Sequence, residues 1–213
     1  SLNARDTYEE MYWKYEYNRF FDSFEHYYSL YHHRNLELWA EYADGKVTKE
    51  ELNRQRYLYP LKAVGICDSA LAKAYEKDAL AAIPTKSKLM PHAREVLEYL
   101  SSKYNLYILS NGFKELQSHK MHSSGIDKYF KKIVLSDDIG VLKPWPEIFY
   151  FALSATQSEL KDSLMIGDSW ENDIAGAAGV GMHQVFYNLS GRMDLPFMPT
   201  YQISDLKELL DLL

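Results

Sequence analysis

The sequence predicts an α/β protein in which an N-terminal all-helical unit, residues 1–83, is followed by a doubly wound parallel sheet over residues 84–213. Three observations carry that expectation. Before residue 84 the apolar residues recur at helical spacing, as in Tyr8, Met11, Tyr12 and Tyr15, and no strand pattern interrupts them. From Pro84 onward short apolar runs alternate with helical stretches, which is the pattern of a parallel sheet covered by helices on both faces. The run Leu164-Met165-Ile166 then stops at Gly167-Asp168, as a buried strand stops at the carboxyl edge of such a sheet, where ligands gather.

Within the helical unit, ten of the 18 tyrosines precede residue 60, and Phe24, Tyr27, Tyr28 and Tyr31 repeat the helical spacing. Asp22 with Glu25, and Thr48 with Glu51, have capping-box spacing and mark helix starts. Gly45 and Pro60 are read as helix ends, and Asp68 as the start of a helix running toward Pro84. The aromatic stripe reads as core, with the alternative that some tyrosines line a cleft and grip a substrate ring. In the second half, Pro91 reads as the first turn of a helix carrying Val96, Leu97 and Leu100. Strands are expected at Leu106–Leu109, Ile133–Leu135, Leu164–Ile166, Gln184–Phe186 and Tyr201–Ile203.

The composition, 46% hydrophobic and 25% charged over 213 residues, is that of a globular protein with room for a sizeable core. A net charge of −6 with no basic block argues against a nucleic-acid polymer as partner. The single cysteine, Cys67, excludes an intrachain disulfide framework and reads as a small buried apolar residue in a reducing compartment. No apolar run approaches the ~20 residues that span a bilayer and no signal peptide is visible, so a cytoplasmic protein without a membrane partner is expected. Nothing in the sequence points to a particular oligomeric state.

Three strand ends carry chemical groups. Ser110-Asn111-Gly112 places a hydroxyl and flexible backbone just past a strand, where a phosphate can be cradled, although the same triplet is a common turn. Lys143 lies in Gly140-Val141-Leu142-Lys143-Pro144-Trp145-Pro146, and Pro144 keeps it out of the helical region while Pro146 starts a helix. The competing reading is an ordinary surface lysine. Asp168 and Asp173 offer paired hard oxygens suited to Mg²⁺, against the alternative that Asp168 is a helix N-cap and Asp173 a solvated first-turn residue. Together a hydroxyl, a lysine and two carboxylates form a set that can bind a phosphoryl group and offset its developing charge. The glycines of Ala175–Gly181 close a helix rather than follow a strand, which argues against a dinucleotide fingerprint.

With these motifs the chain resembles the haloacid dehalogenase superfamily, specifically its helical-cap phosphatases and the branch of pyrimidine 5′-nucleotidase-like enzymes. Ser110 resembles the second family motif, Lys143 in Gly-Val-Leu-Lys-Pro-x-Pro-x-Ile-Phe the third, and Gly-Asp-Ser-x-x-Asn-Asp from Gly167 to Asp173 the fourth. The resemblance covers essentially the whole chain and implies a Rossmann-like core with a helical cap. It further implies a Mg²⁺-dependent phosphomonoester hydrolase acting on a small phosphorylated metabolite, a nucleoside monophosphate or a sugar phosphate. Ser110 and Lys143 would then be catalytic, Ser110, Asn111, Gly112 and Lys143 would bind the phosphoryl group, and Asp168 and Asp173 would serve the metal. The family's attacking carboxylate lies in an Asp-x-Asp motif ending a first strand, and no Asp-x-Asp occurs in this sequence. The resemblance places that strand centrally, between the strands ending at Leu109 and Ile166, so the chain as it stands is expected to be inactive or nearly so. The alternatives are a 2-haloacid dehalogenase-like hydrolase and a non-catalytic phosphate-binding or interaction protein.

Overall fold

A computed structural model describes residues 2–213. The chain divides into two compact units, Ser1–Lys88 and Leu89–Leu213.

The first unit contains four helices, α1 (Leu2–Lys14), α2 (Phe24–Ala43), α3 (Lys49–Ala63) and α4 (Ser69–Ala82). Each of the last three begins at a side chain that accepts an otherwise orphan N–H. Thr48 accepts from the Glu51 N–H and Asp68 from the Leu71 N–H. At α2 the cap is Ser23, which accepts from the His26 N–H, rather than the expected Asp22. Pro60 does not end a helix, because α3 continues through it to Ala63. Leu58, Pro60 and Leu61 are all buried there, and that packing holds the last turn despite the missing donor.

The aromatic stripe is core. Tyr12, Tyr17, Tyr27, Tyr57 and Tyr75 are each 1% exposed or less, and Tyr8 and Tyr31 join the same cluster. Tyr17 lies between Tyr75, stacked at 4.9 Å, and Tyr27, edge-on at 5.3 Å. Several hydroxyls are paired inside the unit, Tyr75 donating to the Tyr8 carbonyl at 2.8 Å and the Tyr8 hydroxyl meeting that of Tyr31 at 2.7 Å. Among the described residues the hydroxyls of Tyr17, Tyr27 and Tyr57 are buried without a hydrogen-bond partner. Cys67 is exposed rather than buried, since it lies in the connection just ahead of the α4 cap Asp68.

The second unit alternates helix and strand. Helix α5 (Ala93–Lys103) leads to β1 (Leu106–Ser110), α6 (Lys114–Ser123) to β2 (Phe130–Leu135), and α7 (Pro146–Thr156) to β3 (Leu164–Gly167). A π-helical turn (Trp170–Ala175) and α8 (Gly176–Gly179) then lead to β4 (His183–Tyr187), β5 (Tyr201–Ile203) and the terminal α9 (Leu209–Leu212). Pro91 precedes α5 instead of opening it, because His92 adopts φ +60° and breaks the helical path. The period-2 alternation of strand side chains appears in β3. Leu164 and Ile166 pack with Val96, Leu100, Ile203 and Leu209 on one face, while Met165 packs with Ile148, Phe149 and Val180 on the other.

All strand pairs are parallel, but the strands form two sheets, β1–β2 and β3–β4–β5. β1 and β3 therefore each leave one edge without a strand partner among the described residues. Every residue of both strands is only partly buried, whereas the centre of β4 is fully buried. The reading of Leu164–Ile166 as a buried strand is thus corrected, for the physical reason that one edge of β3 is uncovered. The two open edges belong to the strands between which the family resemblance places a further strand.

Candidate active site

The carboxyl ends of β1 and β3 meet at Lys143. Its ammonium donates to the Leu109 carbonyl at 2.8 Å and to Asp173 Oδ1 at 2.6 Å, and the residue is 8% exposed. An ammonium has three N–H donors, so these bonds leave one for a ligand. The loop bearing Lys143 is pinned to the end of β1 by Asn111. The Asn111 amide donates to the Lys143 carbonyl at 2.9 Å, and its oxygen accepts from the Lys143 N–H at 2.7 Å. The peptide between Lys143 and Pro144 is cis. Asn111, expected to bind phosphate, thus has its side chain engaged in holding the lysine in place.

Asp173 is buried, and both of its oxygens are used. Oδ1 takes the Lys143 bond and Oδ2 accepts from the Ser169 N–H at 3.0 Å. A β-carbon on Gly167 would collide with this carboxylate, so glycine at the end of β3 is what admits Asp173. Ser169 is the residue that caps the following turn, its hydroxyl accepting from the Asn172 N–H at 3.2 Å. The same segment is anchored from behind by Trp170, which packs against Phe186 at 5.2 Å and Phe197 at 4.8 Å. Asp168 is left exposed, without a hydrogen bond or ion pair among the described residues. Lys143 is therefore no surface lysine, Asp168 no N-cap and Asp173 no solvated first-turn residue.

Ser110, on the β1 side, has a constrained hydroxyl. Its Oγ accepts from the Gly112 N–H at 3.0 Å and from the Gln117 amide at 2.7 Å. Ser110 is the residue before Asn111, whose side chain holds the Lys143 backbone, and the Lys143 ammonium in turn bonds Asp173. Sequence reasoning did not single out Gln117, which comes from α6 and has no motif of its own. It also missed that Asn111 grips the lysine loop, since two side-chain bonds across 32 residues leave no local trace.

For a divalent cation the donor set is sparse. Among the described residues no group of three or more His, Cys, Asp or Glu could hold a metal ion. One free carboxylate at a strand end nevertheless suits Mg²⁺, which commonly binds through one or two carboxylates and fills its remaining positions with water and substrate phosphate. Asp168 fits that role directly, while Asp173 is joined to it only through the Ser169 backbone.

The chain has relatives among known proteins. The profile of the haloacid dehalogenase-like hydrolases matches residues 4–181. The HAD-hydrolase YfnB of Bacillus subtilis (strain 168) is 31% identical over 182 residues, covering 84% of this chain and 76% of that protein. The pyrimidine 5′-nucleotidase YjjG of Escherichia coli (strain K12) is 31% identical over 181 residues, covering 84% of this chain and 79% of the nucleotidase. The magnesium-bound crystal structure of the Bacillus subtilis protein has a TM-score of 0.86 at 25% identity, over 98% of this chain and 92% of that one. A crystal structure of a dehalogenase shares the fold, with a TM-score of 0.79 at 23% identity over 99% of this chain and 91% of its own. No described helix is long and apolar enough to cross a membrane. From the match over residues 4–181 and from these relatives, this chain belongs to the haloacid dehalogenase-like hydrolase family.

Proposed function

We propose that the protein is, by lineage, a Mg²⁺-dependent phosphomonoester hydrolase. Its substrate would be a small phosphorylated metabolite, a nucleoside monophosphate or a sugar phosphate. The observation that supports this most is Lys143. A buried ammonium, held by the Leu109 carbonyl at the end of β1 and by the Asp173 carboxylate after β3, has one N–H to spare. Such fixed donors stabilise a tetrahedral anion without reorganising when charge develops on it. Ser110 and Lys143 would hold the phosphoryl oxygens, and Asp173 would hold the Lys143 ammonium in place. Asp168 would ligate Mg²⁺, which, when bound, offsets negative charge on the phosphoryl group.

The covalent route needs an attacking carboxylate and a group that moves a proton to and from the leaving oxygen. Neither is supplied by an Asp-x-Asp in this sequence, so the chain as it stands would bind a phosphoryl group but hydrolyse phosphomonoesters only at a trace rate. Calorimetric titration with orthophosphate and Mg²⁺ tests the binding half. Wild type should take up orthophosphate and Lys143→Met should not, and Asp168→Asn should weaken Mg²⁺ binding more than Asp173→Asn does. Equal Mg²⁺ affinity in wild type and both aspartate variants would remove the metal assignment, and a wild type blind to orthophosphate would remove the phosphoryl site.

A further inference from the structure

We propose that Gln117 is a positioning residue that fixes which way the Ser110 hydroxyl donates its proton. A serine hydroxyl has one proton to give and two lone pairs to receive. Both lone pairs of Ser110 are filled from within the protein, one by the Gly112 N–H and one by the Gln117 amide. The proton is then the one valence left, and it is presented outward as a donor. A hydroxyl free to rotate would have to be ordered before it could donate to an anion. The one held here meets it with a hydrogen.

A second feature of the chain supports the arrangement. A β-carbon at position 112 would overlap the Gln117 side chain, so Gly112 both donates to Ser110 and leaves the room through which Gln117 reaches it. The Ser-Asn-Gly turn is in this respect one half of a device, completed by a glutamine seven residues after the serine on the exposed helix α6. The ligand such a device selects is one that accepts hydrogen bonds and donates none at that point, a phosphoryl or other tetrahedral oxyanion. The inference rests on the phosphoryl-site reading of Ser110 and adds the group that orients it.

Glutamate at position 117 gives a readout that loss of packing would not mimic. Ionised, it can only accept, so it would draw the Ser110 proton inward and turn a lone pair toward the anion. Protonated, it can donate as glutamine does. Sulfate serves as the probe, because its charge does not change over the range needed. In calorimetric titrations at about pH 7, Ser110→Ala, Gln117→Leu and Gln117→Glu should each bind sulfate roughly tenfold or more weakly than wild type, the worth of one hydrogen bond to a charged group. Gly112→Ala, which displaces Gln117 while leaving its amide in the chain, should also weaken binding. Toward about pH 4, where an ordinary glutamate takes up its proton, the deficit of Gln117→Glu relative to wild type should shrink, while that of Gln117→Leu should not. If Ser110→Ala weakens sulfate binding but the Gln117 variants bind as wild type, the positioning role is wrong and the phosphoryl site stands. If Gln117→Glu alone binds normally at about pH 7, the wild-type serine donates to residue 117 and the polarity is reversed. If Ser110→Ala binds like wild type, both the site and the inference fall.

Discussion

The two units differ in how completely they bury what they fold around. In the helical unit seven tyrosines enclose one another, five of them at 1% exposure or less, and no strand or ligand is needed to close that core. In the α/β unit the strands that lead to the candidate site, β1 and β3, are half-buried along their whole length, and each has one edge without a strand partner among the described residues. The aromatic unit is closed with hydroxyls left unpaired among the described residues, whereas in the α/β unit β1 and β3 each have an edge without a strand partner among the described residues, although Lys143 and Asp173 at their ends are buried.

The largest effects should separate the two cores. Tyr27→Ala empties a fully buried site and should cost about 3–5 kcal/mol in urea unfolding, whereas Leu164→Ala on half-buried β3 should cost under about 2 kcal/mol. Equal losses would mean that β3 is as well covered as the tyrosine cluster. Lys143→Met belongs with the large effects, because it strands the buried Asp173 without its cation and should cost about 3–5 kcal/mol. Adding Asp173→Asn to that variant should recover part of the loss, and a failure to recover any would show that the pair is not coupled.

Alkaline pH should act on the helical unit first. Burial raises the Tyr15 hydroxyl to about 12, its hydrogen bond to Asp78 adding to the shift, and burial raises Tyr8, Tyr27 and Tyr57 well above the ordinary value. An acid whose folded pKa is raised holds its proton longer in the folded state. Its contribution is therefore whole below the unfolded value of about 10 and is lost as pH climbs above it. Tyrosinate absorbance should rise cooperatively with loss of helical circular dichroism above about pH 10. Ionisation of these tyrosines well before the helices melt would show that they reach solvent in the folded state.

Smaller still is the pattern of amide exchange. β4 is paired on both sides, so its amides from Val185 to Tyr187 should be slow to exchange. In β1 and β3 only the amides facing β2 and β4 should be protected, the rest exchanging as at any exposed edge. Uniform protection along β1 and β3 would mean that something covers the edges in solution. The smallest effects concern single hydroxyls. Tyr57→Phe removes a buried group without a partner and should leave stability unchanged or slightly raised, while Tyr75→Phe gives up its bond to Tyr8 and should cost about 1 kcal/mol.

Much of this was legible in the sequence, and the residues show why. Tyr201–Ile203 is a strand at the expected residues, and the Thr48 and Asp68 caps are where local spacing puts them, because those signals act within a few residues. Pro60 and Cys67 went the other way, since whether α3 runs on, and whether a loop residue is covered, is decided by packing the local pattern does not contain. The site was legible as a set of groups at strand ends but not as a network. That Asn111 grips the backbone of Lys143, and that Asp173 is given to Lys143 and Ser169, follows from bonds that join separate segments of the fold.

We propose above that this chain carries a phosphoryl-binding site without the carboxylate that would attack it. The most direct measurement is Mg²⁺-dependent turnover of a panel of nucleoside monophosphates and sugar phosphates. It compares this chain with one extended upstream by an apolar strand ending in Asp-x-Asp, both cleared of contaminating phosphatases. The account predicts a trace rate for the chain as it stands and several orders of magnitude more for the extended one, because members of a catalytic unit fail together. Robust turnover by the unextended chain would contradict it, and would mean that the attacking group is already among the residues described.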